Sequence, residues 1–279
     1  MSTAVAVFHG AFGRVCLYSM DRRMAPHAHR EGHLVFHVQG PPAQMSVGNE
    51  LWPVSPTQAV AVSPWQPHYF KPVVTDTPTL ALVIYIRPAW FLEVARHAFS
   101  SLRFGRVGIE ATDRLQRLVY STAATMVDPN ADDPMLEDRL CGLSQSAYDQ
   151  SWQWTERGQS FVGPHLASRD FRIRKSLKLL QRGVGEELEL NRVAREVGLS
   201  RPHFYKLFRE QMGLTPNLYL NALRMERAID KLSSSAEAVA DIGLDLGFAS
   251  QASFSRFFIA NGVVPPTAYR RCVQTPLPH

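Results

Sequence analysis

The sequence has few cysteines and no apolar stretch long enough to cross a membrane. Cys16, Cys141 and Cys272 lie far apart, and none belongs to a CxxC pair. This pattern argues against a disulfide framework and against a thiolate zinc site, so we interpret the three residues as ordinary thiols. The first residues, MSTAVAVFHGAFGRV, lack the basic start and the continuous apolar core of a secretory signal. We therefore expect a cytoplasmic protein.

The positive charge of the chain is small but unevenly distributed. The 279 residues carry a formal net charge of +5, and this length suffices for about two domains. Residues 167–279 hold 17 Lys and Arg against 11 Asp and Glu, so the basic excess lies there. Such an excess is typical of a region that contacts nucleic-acid phosphates, although it is too small to predict DNA binding alone.

A segment of the C-terminal part recurs about 50 residues later. Apolar and turn residues of the first copy have counterparts in the second, and one extra residue, Ala249, falls in a turn where it breaks no helix period. The matched residues are Val193-Ala194 with Ile242-Gly243, Val197-Gly198-Leu199 with Leu246-Gly247-Phe248, and Phe204, Leu207, Phe208, Pro216 and Tyr219 with Phe254, Phe257, Phe258, Pro266 and Tyr269.

Each copy predicts two helices joined by a short turn. In the first copy, apolar residues from Leu190 follow the i, i+3, i+4, i+7 spacing of a helix with one buried face. Gly198 can adopt the left-handed conformation that reverses the chain, and Ser200 can cap the next helix. Gly247 and Ser250 have the same places in the second copy. A helix, a glycine turn and a helix with a polar face make a helix-turn-helix, whose second helix enters the major groove.

A bridging helix should join the two units. Thr215-Pro216 provides a cap followed by proline at the first helical position. The apolar residues that should pack on both units are Tyr219, Leu220, Leu223, Ala228, Ile229 and Leu232. Two copies with different exposed faces fit two DNA-reading units better than a helical solenoid, which would need more repeats.

Three segments resemble the DNA-binding domain of AraC/XylS-type regulators. They are GLSRPHFYKLFREQMGLTPNLYLNALRMERA, DIGLDLGFASQASFSRFF and PPTAYRR, and the resemblance runs from Phe171 to Cys272. It implies that both recognition helices enter successive major grooves on one face of the duplex, roughly one helical turn apart. The chain departs from the family at Gly262-Val263, where an aromatic residue followed by glycine is usual.

The exposed faces of the recognition helices supply the candidate DNA contacts. Arg and Lys pair with guanine edges or phosphates, and Gln pairs with adenine. For base contacts we predict Arg201, His203, Tyr205 and Lys206 in the first unit and Gln251, Ser253 and Arg256 in the second. For phosphates we predict Arg209, Arg224, Ser200 and Ser250, with Arg224 also able to serve as an ion-pair partner on the bridging helix.

The N-terminal part has the pattern of a small β-structure followed by helices. Short β-branched segments (AVAVF, RVCLYS, HLVFHVQ, AVAVS and TLALVIYI) are separated by Gly, Pro and Asn clusters and predict strands of a barrel or sandwich. Helical spacing follows around Trp90 to Phe99, Thr112 to Met126 and Leu136 to Trp152, with a polar break at Asp128 to Pro134. We predict an α+β protein with a cupin-like β-barrel at 1–87, a helical dimerisation or linker region at 88–166 and the DNA-binding domain at 167–279. The helix-turn-helix units should lie at about 188–213 and 237–262.

Histidines are crowded in the β region. The run PHAHREGHLVFHVQG contains His27, His29, His33 and His37, and His68 follows in PWQPH. The run resembles the cupin-type sensor domain common in this family, whose first motif is H-x-H-x3-E, with His33 in place of the glutamate. Two interpretations stay open: a pocket for an organic effector, or a site for a divalent metal held by neutral imidazoles. The predicted effector-binding residues are His27, His29, His33, Phe36, Trp65 and His68, and the histidines among them are the possible metal ligands.

The function that fits these features is that of a DNA-binding regulator controlled by a small molecule. We expect a homodimer on double-stranded DNA, with four reading units on a direct repeat, and contact with RNA polymerase if the protein activates transcription. A metal-dependent cupin enzyme fused to a DNA-binding domain is the alternative, but residues 1–166 offer no acid/base pair or cofactor motif beyond the histidines. A nucleoid protein without sequence preference should be more basic and should lack a second unit.

Overall fold

The computed structural model describes residues 2–74, 76–94, 102–128, 135–152, 170–185, 189–262 and 264–274. The strands within these ranges are β1 Thr3–Gly10, β2 Gly13–Met20, β3 Gly32–Gln39, β4 Ala43–Val47, β5 Glu50–Val54, β6 Gln58–Val62, β7 His68–Pro72, β8 Thr79–Ile86, β9 Gly108–Glu110 and β10 Val273–Gln274. The helices are α1 Pro88–Val94, α2 Asp113–Val127, α3 Leu136–Trp152, α4 Phe171–Arg182, α5 Leu190–Glu196, α6 Arg201–Met212, α7 Pro216–Ser234, α8 Val239–Asp245, α9 Gln251–Gly262 and α10 Pro266–Cys272. In these ranges, no helix has the length and apolar character that crossing a membrane requires.

Two sheets in the N-terminal half share one core. The larger has the order β10-β1-β2-β8-β3-β6-β9 and the smaller has the order β5-β4-β7. Val35 and Val83 of the larger sheet lie in the same buried cluster as Met45 and Phe70 of the smaller one. Because side chains alternate along a strand, each strand contributes every second residue to this core.

The other face of the larger sheet is covered by helices. Leu34 and Phe36 of β3 point away from the smaller sheet and pack in a second cluster with apolar residues of α2 and α3, such as Val119 and Leu143. The larger sheet is therefore a middle layer, with the smaller sheet on one side and helices on the other.

The sequence pattern found the long elements of this half correctly. The five predicted apolar segments are β1, β2, β3, β6 and β8, and helices occur where helical spacing starts at Trp90, Thr112 and Leu136. The pattern missed β4, β5 and β7, as well as the short strands β9 and β10. The end of the first predicted helix and most of the polar break at Asp128 to Pro134 lie outside the described residues.

The C-terminal half contains the two predicted helix-turn-helix units. Helices α5 and α6 form the first unit, α8 and α9 form the second, and α7 bridges them. Gly198 and Gly247 have φ angles of 72° and 79°, which confirms the predicted left-handed turns. The Thr215 side chain accepts a hydrogen bond from the backbone N–H of Leu218, so it caps α7 as expected. All six apolar residues predicted to pack along α7 are buried.

The two halves of the molecule are joined by backbone and side-chain contacts. Strand β10, at the end of the C-terminal half, pairs in parallel with β1, with Val273 opposite Val7. The backbone N–H of Ala25 donates to the carbonyl of Ala260 of α9. The sheet edge at β1 and the loop before β3 thus both form backbone hydrogen bonds with the C-terminal half.

A histidine also lies at this junction. The Nε2 atom of His9 is 3.0 Å from the hydroxyl of Tyr269 and 3.0 Å from that of Ser233. Burial, together with the positive charges of Arg14 and Arg87, lowers the pKa of His9 to about 4. The imidazole is therefore neutral at pH 7 in the folded protein.

The core of the second unit gives a stability prediction. Phe258 is fully buried against Phe254 and Tyr269, so Phe258→Ala should lower the free energy of unfolding by about 3–5 kcal/mol through lost burial and a residual cavity. Phe171, at the start of α4, is 67% exposed, and Phe171→Ala should change it by less than about 0.5 kcal/mol. Urea denaturation of both variants measures the difference. Equal effects would contradict this packing.

His9 predicts a pH dependence of stability. Because its pKa is about 4 in the folded protein and 6.5 when unperturbed, the unfolded chain binds the proton more tightly between these values. The stabilisation is present above pH 6.5 and is lost as the pH falls toward 4. Melting temperatures measured from pH 7.5 to 4.5 should fall less steeply for His9→Gln than for the wild type. Parallel curves would show that His9 contributes nothing to this dependence.

Candidate nucleic-acid interface and histidine cluster

The first recognition helix, α6, presents a basic exposed face. Arg201, His203, Lys206 and Arg209 are exposed, while Phe204 and Phe208 are buried beneath them. Ser200 is the N-cap residue, but its side chain makes no capping hydrogen bond. Its hydroxyl is exposed and stays a predicted phosphate contact. The four exposed side chains on α6 can all approach a duplex without rearrangement of the helix.

Tyr205 was predicted to contact a base, and the structure places its hydroxyl away from solvent. This hydroxyl is buried and makes no hydrogen bond with any described residue. The ring packs at right angles to Phe204, and the guanidinium of Arg201 lies 5.5 Å from the ring centre. The residue as a whole is half-buried, at the boundary between the exposed and buried faces of α6. Its base contact stays a prediction, which requires the hydroxyl to become exposed.

The second recognition helix, α9, has a less charged face. Gln251 and Arg256 are exposed at positions where a groove would be read. Ser250 caps the helix as predicted, because its hydroxyl oxygen accepts a hydrogen bond from the backbone N–H of Ser253. The Ser253 hydroxyl donates back to the Ser250 carbonyl at 2.7 Å. Ser253 is half-buried in this turn and its hydroxyl takes part in capping, while its base contact stays a prediction.

Arg224 of the bridging helix lies against the second unit. Its guanidinium is 5.3 Å from the ring centre of Phe248, in the turn between α8 and α9. Its Nε atom is buried without a hydrogen-bond partner among the described residues, and burial lowers its pKa. Arg224 therefore packs against the second unit and forms no ion pair with a described residue, while its phosphate contact stays a prediction.

The departure from the family at Gly262-Val263 begins at the end of α9. Gly262 is the last residue of α9 and lies beside the end of the Met225 side chain on α7. A Cβ atom at this position would require that flexible side chain to shift, so this contact alone does not demand glycine. Val263 lies outside the described residues.

Comparison with known proteins identifies this part of the chain. A family model described as a helix-turn-helix domain matches residues 193–272. The regulatory protein PocR of Salmonella typhimurium is 32% identical over 119 residues, which are 43% of this chain and 39% of PocR. The lactose operon transcription activator of Staphylococcus xylosus is 26% identical over 98 residues, 35% of each protein. The C-terminal domain is an AraC-type DNA-binding domain. Because the chain matches under two-fifths of each relative, the relationship concerns this domain.

The fold of the whole chain has counterparts among solved structures. An apo variant of ToxT from Vibrio cholerae aligns with 95% of this chain at a TM-score of 0.62 and 14% identity. ToxT bound to an unsaturated fatty acid aligns with 92% of the chain at a TM-score of 0.57 and 16% identity. These values show a shared fold, in which a cupin-like β domain with helices precedes the AraC-type domain.

Four of the crowded histidines meet between β3, β7 and the loop before β3. One ring nitrogen from each of His27, His29 and His68 lies within 4.8 Å of the other two. His33 joins them, because its Nδ1 atom is 2.9 Å from the Nε2 atom of His29. These four residues are called the histidine cluster below. Burial lowers the pKa of all four imidazoles, so they are neutral at pH 7.

The structure changes the predicted pocket lining at two positions, Phe36 and Trp65. Phe36 points to the opposite side of β3, into the core shared with the helices, so it does not reach the cluster. His37, which was not a predicted lining residue, is bound to the carbonyl of Gly40 and stays apart from the cluster. The backbone of Trp65 is hydrogen-bonded to His29 of the cluster. Its indole, however, stacks on Tyr219 of α7, at 4.8 Å between ring centres.

Sequence reasoning missed several residues around the cluster. The ring of Tyr85 is 5.3 Å from both His29 and His33, and the buried Arg14 lies 3.7 Å above the centre of that ring. Arg14 also pairs with Glu31, at 3.2 Å. Inward-facing alternation on β2 and β8 could have identified Tyr85 and Arg14, but single aromatic or basic residues in strands are common.

Two cavities border the histidine cluster. One lies between the β domain and α7, α9 and α10, and part of it opens to solvent. The other is smaller and lies between the two sheets, with apolar walls that include Met45 and Phe70. His27 and Tyr85 line both cavities. A ligand bound in the first cavity would therefore touch the β domain and the bridging helix together.

The position of Tyr205 gives a prediction for DNA binding. Tyr205→Phe removes a buried hydroxyl that has no described partner, so operator affinity should stay within about twofold of the wild-type value. Stability should stay the same or rise slightly, because an unsatisfied buried group costs about 1–3 kcal/mol. Fluorescence anisotropy at fixed salt and thermal unfolding measure the two effects. A tenfold loss of affinity would instead show that the Tyr205 hydroxyl contacts DNA.

Proposed function

We propose that the protein is a sequence-specific transcription regulator that reads two successive segments of the major groove. The observation that carries this proposal is the pair of recognition helices, α6 and α9, held by one buried bridging helix. Their exposed faces differ in charge, which fits two different DNA segments better than uniform binding. As a regulator of this kind it would act in the cytoplasm.

The two units should contribute unequally to affinity. The first presents Arg201, Lys206 and Arg209 together with His203, while the second presents Gln251 and Arg256. Phosphate contacts by Lys and Arg provide much of the affinity of DNA-binding proteins. The first unit should therefore dominate affinity, and the second should mainly add discrimination between sequences.

We further propose that a small ligand bound at the histidine cluster controls DNA binding. The cavity between the β domain and the bridging helix supports this, because His29 and Glu226 line it from opposite sides. ToxT has been solved with an unsaturated fatty acid bound, which supports ligand control in a protein of this fold. A binding role fits the site better than catalysis, since the two carboxylates that line the cavity, Glu31 and Glu226, are paired with Arg14 and Arg30.

A selection experiment tests the proposed function. Genomic fragments retained by the purified full-length protein should share a motif with two half-sites roughly one helical turn apart. A dimer with four reading units should protect a direct repeat of such sites in a footprint. Retention of all fragments equally at fixed salt, or protection of one short half-site at saturating protein, would contradict the proposal.

Lys206 provides a test at one residue. Its side chain is 76% exposed on α6, and Lys206→Ala should weaken operator binding by roughly 1–3 kcal/mol with a changed preference at one base position if it reads a base. Lys178→Ala on the exposed face of α4 is the matched control and should leave affinity unchanged. A uniform loss over all sequences would make Lys206 a phosphate contact, and no loss would remove it from the interface.

A further inference from the structure

We propose that the histidine cluster binds one divalent transition-metal ion, and that the bound metal is the signal that the β domain passes to the DNA-binding domain. The second part rests on the proposed function, whereas the first can be tested without DNA. His27, His29 and His68 form the one group of potential metal ligands detected among the residues that the structure describes.

The hydrogen bonds of the cluster fix which ring nitrogens are available. The Nδ1 atoms of His27, His29 and His68 face the backbone carbonyls of Ala25, Glu31 and Gln66, at 2.9, 2.8 and 2.7 Å. A carbonyl oxygen can only accept, so each Nδ1 atom carries the proton and donates it. Each Nε2 atom of these neutral rings is left with a lone pair. Metal-binding histidines are held in this way, with the second ring nitrogen donating to a carbonyl or carboxylate.

His33 extends the same arrangement. Because the Nε2 atom of His29 has no proton, the His33 Nδ1–H donates to it across 2.9 Å, and a metal ion that binds this Nε2 atom must displace that hydrogen bond. The Nε2 atom of His33 then also has a lone pair, and it is buried without a partner among the described residues, as is the Nε2 atom of His68. Buried acceptors without a donor are costly in a folded protein, and a cation would satisfy them.

The type of ligand follows from this donor set. Three or four neutral imidazoles suit zinc, nickel, cobalt or copper, whereas magnesium and calcium prefer oxygen ligands. Tetrahedral zinc with bonds of about 2.0–2.1 Å holds its nitrogens roughly 3.4 Å apart. The ligand nitrogens of His27, His29 and His68 lie within 4.8 Å of one another, so binding requires these three nitrogens to move closer together by a modest distance.

The same residues connect the cluster to the bridging helix. The backbone N–H of Trp65 donates to the carbonyl of His29 at 2.8 Å, and Trp65 lies three residues before His68. Trp65 has a φ of 65°, which is unusual for a bulky residue and shows that its surroundings hold it there. Its indole stacks on Tyr219 of α7 with 21° between the planes. Closing the cluster therefore moves the backbone that positions this ring against the DNA-binding domain.

A second contact joins the residues next to the cluster to the bridging helix. Arg30 follows His29 in the chain and pairs with Glu226 of α7 at 3.5 Å. Both side chains are substantially exposed, so this ion pair contributes little stability. It nevertheless links residue 29 to the same helix that Trp65 contacts.

Metal binding can be measured directly. Untagged, chelator-treated full-length protein should bind one equivalent of cobalt(II) and develop visible absorption bands of a nitrogen-coordinated ion. His29→Gln and His68→Gln should each weaken cobalt binding by about 100-fold or more, since a lost ligand costs at least as much as a lost supporting contact. His37→Gln, a buried histidine outside the cluster, is the matched control and should bind cobalt like the wild type.

A stability measurement covers the case in which a variant is poorly folded. Zinc should raise the melting temperature of the wild type and of His37→Gln, because it binds only the folded state, but should not raise that of His68→Gln. Absence of a bound equivalent, or cobalt affinity that is unchanged in both His29→Gln and His68→Gln, would overturn the metal site.

The signalling part has its own test. With operator DNA from the fragment selection, zinc should change the operator Kd by at least about fivefold, and operator DNA must change cobalt affinity by the same factor. Trp65→Ala should keep cobalt binding and lose this coupling. Metal binding without any effect on operator affinity would overturn the signal while leaving the metal site intact. Failure to select any operator would instead refute the proposed function.

Discussion

The burial of α7 on three sides is the constraint on which the structure depends. Its apolar residues pack on both helix-turn-helix units, so the two recognition helices have a fixed relation to each other. Tyr219 also stacks on Trp65 of the β domain. One helix therefore sets the geometry of DNA reading and receives the contact through which the β domain can alter it. A change at this contact must alter the position of both reading units.

The features that were predicted well from the sequence are those that depend on a strict spacing of residues or on a backbone conformation that few residues adopt. The helix-turn-helix units follow from apolar spacing and from two turns that require positive φ, at Gly198 and Gly247. The histidine cluster followed from the H-x-H-x3 spacing with a later histidine, and the structure brings His27, His29, His33 and His68 together. Strands that contain proline or have a polar outer face, such as β5, show too weak a strand pattern in the sequence to be predicted.

The site residues whose side chains lie differently from expectation have a common physical cause. Helical or strand spacing indicates a face only to within about one residue, and packing decides the rest. Tyr205 turns inward because a large ring at a boundary position gains by burial, and Arg224 lies over Phe248 for the same reason. Phe36 faces the helices because it alternates with Val35. The pairing of β10 with β1 joins residues 266 positions apart, and no local pattern could predict it.

We infer that DNA reading by both units is linked to the β domain through α7. Hydrogen–deuterium exchange of the full-length protein with and without operator DNA measures this link. We expect slower exchange in both α6 and α9, together with a change in the segment 63–69 that contains Trp65. Protection limited to α6, with exchange in 63–69 unaffected by DNA, would contradict it.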